Sequence, residues 1–145
     1  MTAGSSRCLL DTNILLYAAL GRSSEPQKWA TCRKIVATED YVTSAQVLAE
    51  FYSNAIKCEV DGKTWVPLTP ATARRWVMTL TKKPFQPITA QIVLAGIDIS
   101  QRHEISYWNG AIIAAAEALD ARTVYSEDLN HGQTFGQVTV VNPFL

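Results

Sequence analysis

Four acidic residues, Asp11, Glu50, Glu127 and Asp128, fall in a 145-residue chain at points where a fold could bring them together. Asp11 interrupts an otherwise apolar run, RCLLDTNILLYAAL, with Thr12 and Asn13 directly after it. Glu127 and Asp128 follow Ser126 at the end of the short β-branched run RTVYS, and Glu50 sits in VTSAQVLAEFYSNAIK. Carboxylates gathered by a fold repel one another, and a divalent cation is the usual agent that neutralises them. Hard cations such as Mg2+ and Mn2+ take oxygen ligands, commonly one or two carboxylates with several retained waters. An ion held in that way polarises a phosphoryl oxygen and lowers the pKa of a bound water, chemistry that suits phosphodiester hydrolysis.

Each acid also has a plain structural reading. Asp11 is a good N-cap for a helix starting at Thr12. Glu50 lies roughly 150° from the centre of the apolar stripe formed by Val47, Leu48, Phe51, Tyr52, Ala55 and Ile56, which points it to solvent. Glu127 and Asp128 precede the turn-like NHGQ, where acids are common and usually inert. Only their joint placement raises them above background. His103 and His131 lack metal-ligand spacing and read as loop or surface residues. Trp29, Trp65, Trp76 and Trp108 read as core or interface. Arg74, Arg75, Lys82 and Lys83 around Trp76 form either a phosphate-contacting arm or a solvated helix face with one buried tryptophan.

The elements that must position these residues follow from pattern. RCLL predicts a buried strand ending at Asp11, and NILLYAAL a helix capped by the Asp11-Thr12-Asn13 cluster. EPQKWATCRKIVAT predicts a helix with Pro26 in its first turn, and DYVTS a strand. Thr43 with Gln46 three residues on forms a capping box for the helix that carries Glu50. Asp61-Gly62 marks a turn, Thr69-Pro70 an N-cap and first helical residue, and Pro84 and Pro87 bound a loop. TAQIVLAGIDISQRH and SYWNGAIIAAAEALD predict two more helices, the second apolar on nearly every face and capped by Ser106. RTVYS and QVTVV predict two closing strands.

Strands alternating with helices predict an open α/β domain, a mostly parallel sheet covered on both faces, spanning residues 1–145 as one unit. In such sheets ligands collect outside the carboxyl ends of the strands, where Asp11 and Ser126-Glu127-Asp128 stand. Thirteen Lys and Arg balance thirteen Asp and Glu, so no global field draws the chain to a polyanion, and any such partner must meet a local patch. Three widely spaced cysteines without a C-x-x-C pair argue against a disulfide framework or a zinc site and for a reducing cytoplasm. MTAGSSR is short and polar, and no apolar run reaches spanning length, so neither a signal peptide nor a membrane segment is expected.

The successive segments LLDTNILLYA, VTSAQVLAEFYSNAIK, SYWNGAIIAAAEAL, VYSEDLNHGQ and VVNPF resemble, in order and over nearly the whole chain, the motifs of PIN-domain ribonucleases of the VapC toxin branch. The resemblance implies a three-layer α/β/α domain whose acidic pocket binds Mg2+ or Mn2+ and cleaves RNA. By position it assigns metal-binding roles to Asp11, Glu50 and Asp128, and site-ordering roles to Thr12, Asn13 and Ser126. Asn142 matches a frequent accompaniment of the motif set. The resemblance further implies a homodimer inhibited by a cognate antitoxin.

The chain departs from that pattern at one position. Related sequences place aspartate after the tryptophan of SYWNGAII, whereas here the residue is Asn109. With Ser106 as N-cap, Asn109 is the third residue of its helix, where the helix dipole favours a carboxylate; an amide offers a neutral carbonyl oxygen instead. Asn109 then occupies a fourth ligand position with one negative charge missing. It is an engineered silencing, a natural loss in a chain kept for binding, or a variant tolerated in a working enzyme; the plain structural reading is a helix-start asparagine with no metal role. Two rival readings stand beside the nuclease: a non-catalytic module binding RNA or an antitoxin, and a haloacid-dehalogenase-like phosphatase, whose motif requires an aspartate where Asn13 stands.

Overall fold

The computed structural model describes residues 7–60 and 62–145; the MTAGSS opening and Asp61 of the expected Asp61-Gly62 turn lie outside the described residues. The run that opens the chain folds as its pattern predicts: β1 (Arg7–Leu10) ends at Asp11, and α1 (Thr12–Leu20) begins at once. Leu9, Leu10, Ile14, Leu15 and Leu16 are fully buried, each contributing about 1.5–3 kcal/mol. Pro26 opens α2 (Pro26–Thr38), a position that requires no backbone N–H, and β2 (Tyr41–Ser44) follows.

The helix bearing Glu50, α3 (Ala45–Ala55), is capped differently from expectation. Ser44 Oγ, not Thr43, accepts from the N–H of Val47, at 3.1 Å. Thr43 stays in the strand because its N–H donates to the Pro84 carbonyl, and its buried hydroxyl makes no hydrogen bond among the described residues. Gln46 donates to the Trp108 carbonyl instead of completing a box.

A small hairpin comes next, β3 (Glu59–Val60) and β4 (Lys63–Thr64), turning at Gly62 with φ +78°. Thr69 caps α4 (Pro70–Leu80) as predicted. Where Pro84 and Pro87 predict only loop, the segment between them holds a two-residue edge strand, β5 (Phe85–Gln86), because Thr43 and Ser44 offer it a parallel partner. Then come α5 (Ala90–His103), α6 (Tyr107–Ala118), β6 (Ala121–Tyr125), β7 (Thr134–Phe135) and β8 (Val138–Val141).

The main sheet runs β5-β2-β1-β6-β8-β7, parallel throughout except for β7, which pairs antiparallel with β8. From β1 the chain moves outward through β2 to β5, then returns across the sheet to β6, and right-handed crossovers put the outward and return helices on opposite faces. Accordingly α1 packs on α2 and α3, and α3 on α4, while α5 and α6 pack on each other with α6 along β6, β2 and β8. The layers are α/β/α.

The α5–α6 contact is close because glycines face each other: a Cβ at Gly110 would stand 2.4 Å from the Gly96 carbonyl oxygen. That crossing fixes the start of α6, whose residues Gly110–Ala116 are all buried. Among the described residues no helix is long and apolar enough to cross a membrane.

Candidate active site at the carboxyl edge of the sheet

β1 and β6 are neighbours, and their carboxyl ends deliver Asp11 and Ser126 side by side. Ser126 Oγ donates to Asp11 Oδ2 at 2.8 Å and accepts from the N–H of Asp128 at 3.1 Å. The other Asp11 oxygen accepts from the N–H of Thr12 at 2.7 Å, the expected N-cap bond. Thr12 Oγ1 donates to Glu50 Oε1 at 2.9 Å, which turns Glu50 from a solvated face residue into a half-buried member of the group. Asn13 Nδ2 lies 3.5 Å from Asp128 Oδ2. Six of the expected site residues, Asp11, Thr12, Asn13, Glu50, Ser126 and Asp128, thus form one network drawn from two strand ends and two helices.

Magnitudes separate capping from chemistry at Asp11. A side-chain cap contributes about 1 kcal/mol, and a neutral serine or threonine supplies it as well. Burial pushes the Asp11 carboxyl up to about 6, reinforced by the charges of Asp128 and Glu50 and only partly opposed by the bonds from Ser126 and Thr12. Holding it ionised costs on the order of 3 kcal/mol at about 1.4 kcal/mol per pH unit. The charge costs more than the cap returns, so capping does not explain an aspartate here.

A cation held beside the carboxylate would offset that cost. Among the described residues no lysine or arginine pairs with Asp11, and no three His, Cys, Asp or Glu side chains stand close enough to enclose an ion. The donor set is oxygen, with carboxylates spaced by neutral groups. That fits a hard cation keeping part of its water shell, and not zinc, which takes nitrogen and sulfur.

Two expected residues stand apart from the network. Asn142 Oδ1 accepts from the N–H of Phe144 and its own N–H donates to His131 Nδ1, so it shapes the C-terminal turn. Asn109 is the third residue of α6, where its N–H donates to Ser106 Oγ; its side chain is half-buried and lies outside the hydrogen bonds that join the other six. Gln46 Nε2 reaches the Trp108 carbonyl at 3.4 Å, tying the first turn of α6 to the helix that carries Glu50.

Glu127, counted among the four acids at the sheet edge but given no site role by the resemblance, is the centre of a second cluster. Its carboxylate accepts from the Tyr17 hydroxyl at 2.6 Å, Lys28 at 3.0 Å and Lys63 at 3.1 Å. The Tyr17 ring in turn packs edge-on against Phe144. Sequence offered one clue: Tyr17 follows Asn13 by four residues on α1, so the two share a face. Trp76 is half-buried against Phe51 with Arg33 over its ring, while Arg74, Arg75 and Lys82 stay exposed.

Residues 8–134 match the sequence model of the PIN domain family. No curated protein matches the chain. Among solved structures, a toxin–antitoxin complex from Klebsiella pneumoniae is similar with a TM-score of 0.67 at 17% identity, over 94% of this chain and 97% of that one. VapC20 of Mycobacterium tuberculosis, described as a toxin cleaving the sarcin-ricin loop, gives 0.63 at 16% identity, over 82% and 88%. FitAB bound to a DNA fragment gives 0.65 at 20% identity, over 95% and 96%. Those likenesses concern the fold. The family match, which spans most of the chain and takes in Asp11, Glu50 and Asp128, shows that this protein belongs to the PIN domain family.

Proposed function

We propose that the chain is a metal-dependent endoribonuclease of the toxin type, weakened at Asn109. The observation that carries this reading is the buried Asp11, joined through Ser126 to Asp128 and through Thr12 to Glu50, at the carboxyl edge of a parallel sheet. Asp11, Glu50 and Asp128 would hold Mg2+ or Mn2+, directly or through water. Bound there, the ion supplies an activated water and stabilises charge on the phosphoryl oxygen. Ser126 orients Asp11 and favours its ionised form, Thr12 holds Glu50, and Asn13 steadies Asp128. Asn109 would offer the ion a neutral oxygen in place of a carboxylate, which would lower both metal affinity and the stabilisation of developing charge.

A protein antitoxin is the proposed partner, supported by structural neighbours that are toxin–antitoxin complexes. A homodimer is proposed on the exposed Ile88, Leu94, Ile97 and Trp108, which leave an apolar face around α5. The three free cysteines suit a cytoplasmic setting. Asn109 also favours a second reading, a non-catalytic module that binds RNA or an antitoxin through the same edge.

The test is cleavage of a mixed tRNA and rRNA pool with Mg2+ or Mn2+, with and without chelator, by this chain and by Asn109→Asp. Cleavage at least tenfold faster in the variant, stopped by chelator, supports a weakened nuclease. Binding of RNA or antitoxin by both proteins with no cleavage by either supports the second reading.

A further inference from the structure

An RNA-cleaving site made of three carboxylates repels its own substrate, and a chain with thirteen basic and thirteen acidic residues has no net field to offset that. The compensating positive charge must be local and near. The Glu127 cluster supplies it. Lys28 comes from α2 and Lys63 from β4, and their ammonium groups meet at one carboxylate and at the Tyr17 hydroxyl oxygen. Two positive charges against one negative leave the cluster at a net charge of about +1.

The geometry turns that surplus outward. Glu127 is the inner member, its side chain 15% exposed, while Lys28 and Lys63 are 29% and 36% exposed. An ammonium carries three N–H donors; Glu127 and Tyr17 take two from each lysine, leaving one on each for a ligand. Aromatic rings help to position both ammonium groups: Lys28 Nζ lies 5.0 Å from the centroids of both the Tyr17 and Phe144 rings, and Lys63 Nζ lies 4.7 Å from that of Tyr17.

The cluster is also in register with the acidic centre. Glu127 immediately precedes Asp128, and the α1 residues that touch them, Tyr17 and Asn13, are four residues apart, about 6 Å of helical rise. That spacing is comparable with the separation of neighbouring phosphates on one nucleic acid strand. We propose that Lys28 and Lys63 form a phosphate-binding subsite for the phosphodiester adjoining the one that reaches Asp11 and Asp128. The identity of the strand as RNA rests on the nuclease reading above.

The experiment measures binding of a labelled single-stranded RNA oligonucleotide to the intact protein in chelator, where neither metal nor cleavage contributes, across a range of salt. Lys63→Gln lowers the slope of log affinity against log salt by about 0.7, as expected when the protein neutralises one phosphate fewer on a single strand. Glu127→Gln, which raises the cluster by one positive charge, tightens binding severalfold. A thermal melt confirms that each variant is folded.

If the lysines serve only to hold Glu127, Lys63→Gln leaves the slope unchanged and Glu127→Gln does not tighten binding, which overturns the proposal. Loss of antitoxin binding with RNA binding intact overturns it as well, in favour of a protein contact. Retained metal-dependent cleavage by Asn109→Asp alongside those negative results leaves the nuclease reading standing. No RNA binding by any form, with no cleavage by Asn109→Asp, overturns both.

Discussion

Asp11 is hydrogen-bonded to Ser126 and Glu127 follows Ser126 in the chain, yet the surroundings of the two carboxylates act on them in opposite ways. Asp11 is buried among neutral donors with two further carboxylates nearby, and its pKa is pushed up. Glu127 is partly desolvated too, but bonds from Tyr17, Lys28 and Lys63 outweigh that, and its pKa is pulled down. One carboxylate is paired with two of the protein's own lysines; the other, among the described residues, has no lysine or arginine partner. Acidity alone therefore marks no site; Asp11 differs from Glu127 in lacking a lysine or arginine beside it among the described residues.

The substitution expected to have the largest effect is Asp11→Asn. It lowers metal-dependent cleavage by the Asn109→Asp protein by about two orders of magnitude or more, while stabilising the metal-free fold at pH 8 by on the order of 3 kcal/mol. Cleavage rates and paired denaturant curves check both halves; a destabilised variant breaks the comparison.

The pH dependence sharpens it. Because the folded pKa of Asp11 stands at about 6, above its ordinary 3.8, the group penalises the fold when ionised, and that penalty fades as pH falls from above 6 towards 4. Glu127 has the opposite linkage, since its lowered pKa gives stability that is lost on acidification through the folded value. Metal-free wild type therefore loses less stability between pH 7 and pH 5 than Asp11→Asn does, as denaturant midpoints at the two pH values show.

Smaller effects come from single partners. Ser126→Ala removes a bond to the ionised Asp11 and shifts the pH midpoint of metal binding upward by about one unit. Lys28→Met leaves Glu127 with Lys63 and Tyr17, and at a partly exposed pair costs about 1 kcal/mol of stability. Equal responses of the two carboxylates to removal of a neighbour would erase the distinction between them.

Features written locally were legible in the chain. β1 and α1 follow from an apolar run with one polar interruption, and Pro26, Thr69 and Ser106 stand where helix starts require them. Features set by distant partners were not. The cap of α3 falls one residue later than its motif suggests because Thr43 is held by the Pro84 carbonyl. β5 and β7 are two residues long, too short for a periodic pattern, and exist because a neighbouring strand pairs with them.

The same division runs through the site. Asp11 and Asp128 stand at strand ends that the alternation of elements predicts, whereas Glu50 joins them through a hydroxyl contributed from 38 residues away. Glu127 could not be told from an ordinary turn acid, because Lys28 and Lys63 are 99 and 64 residues distant. Asn142, expected at the site, serves a turn two residues long that local sequence would equally allow.

The most direct test of the central claim, that Asp11 is left uncompensated in order to take a cation, is calorimetric titration of Mn2+ into the wild-type chain and Asp11→Asn, at pH 5 and pH 8. Saturable binding by wild type, stronger at pH 8, is expected, with none by Asp11→Asn at either pH. Binding of equal strength in both proteins, or no binding by wild type at pH 8, contradicts it.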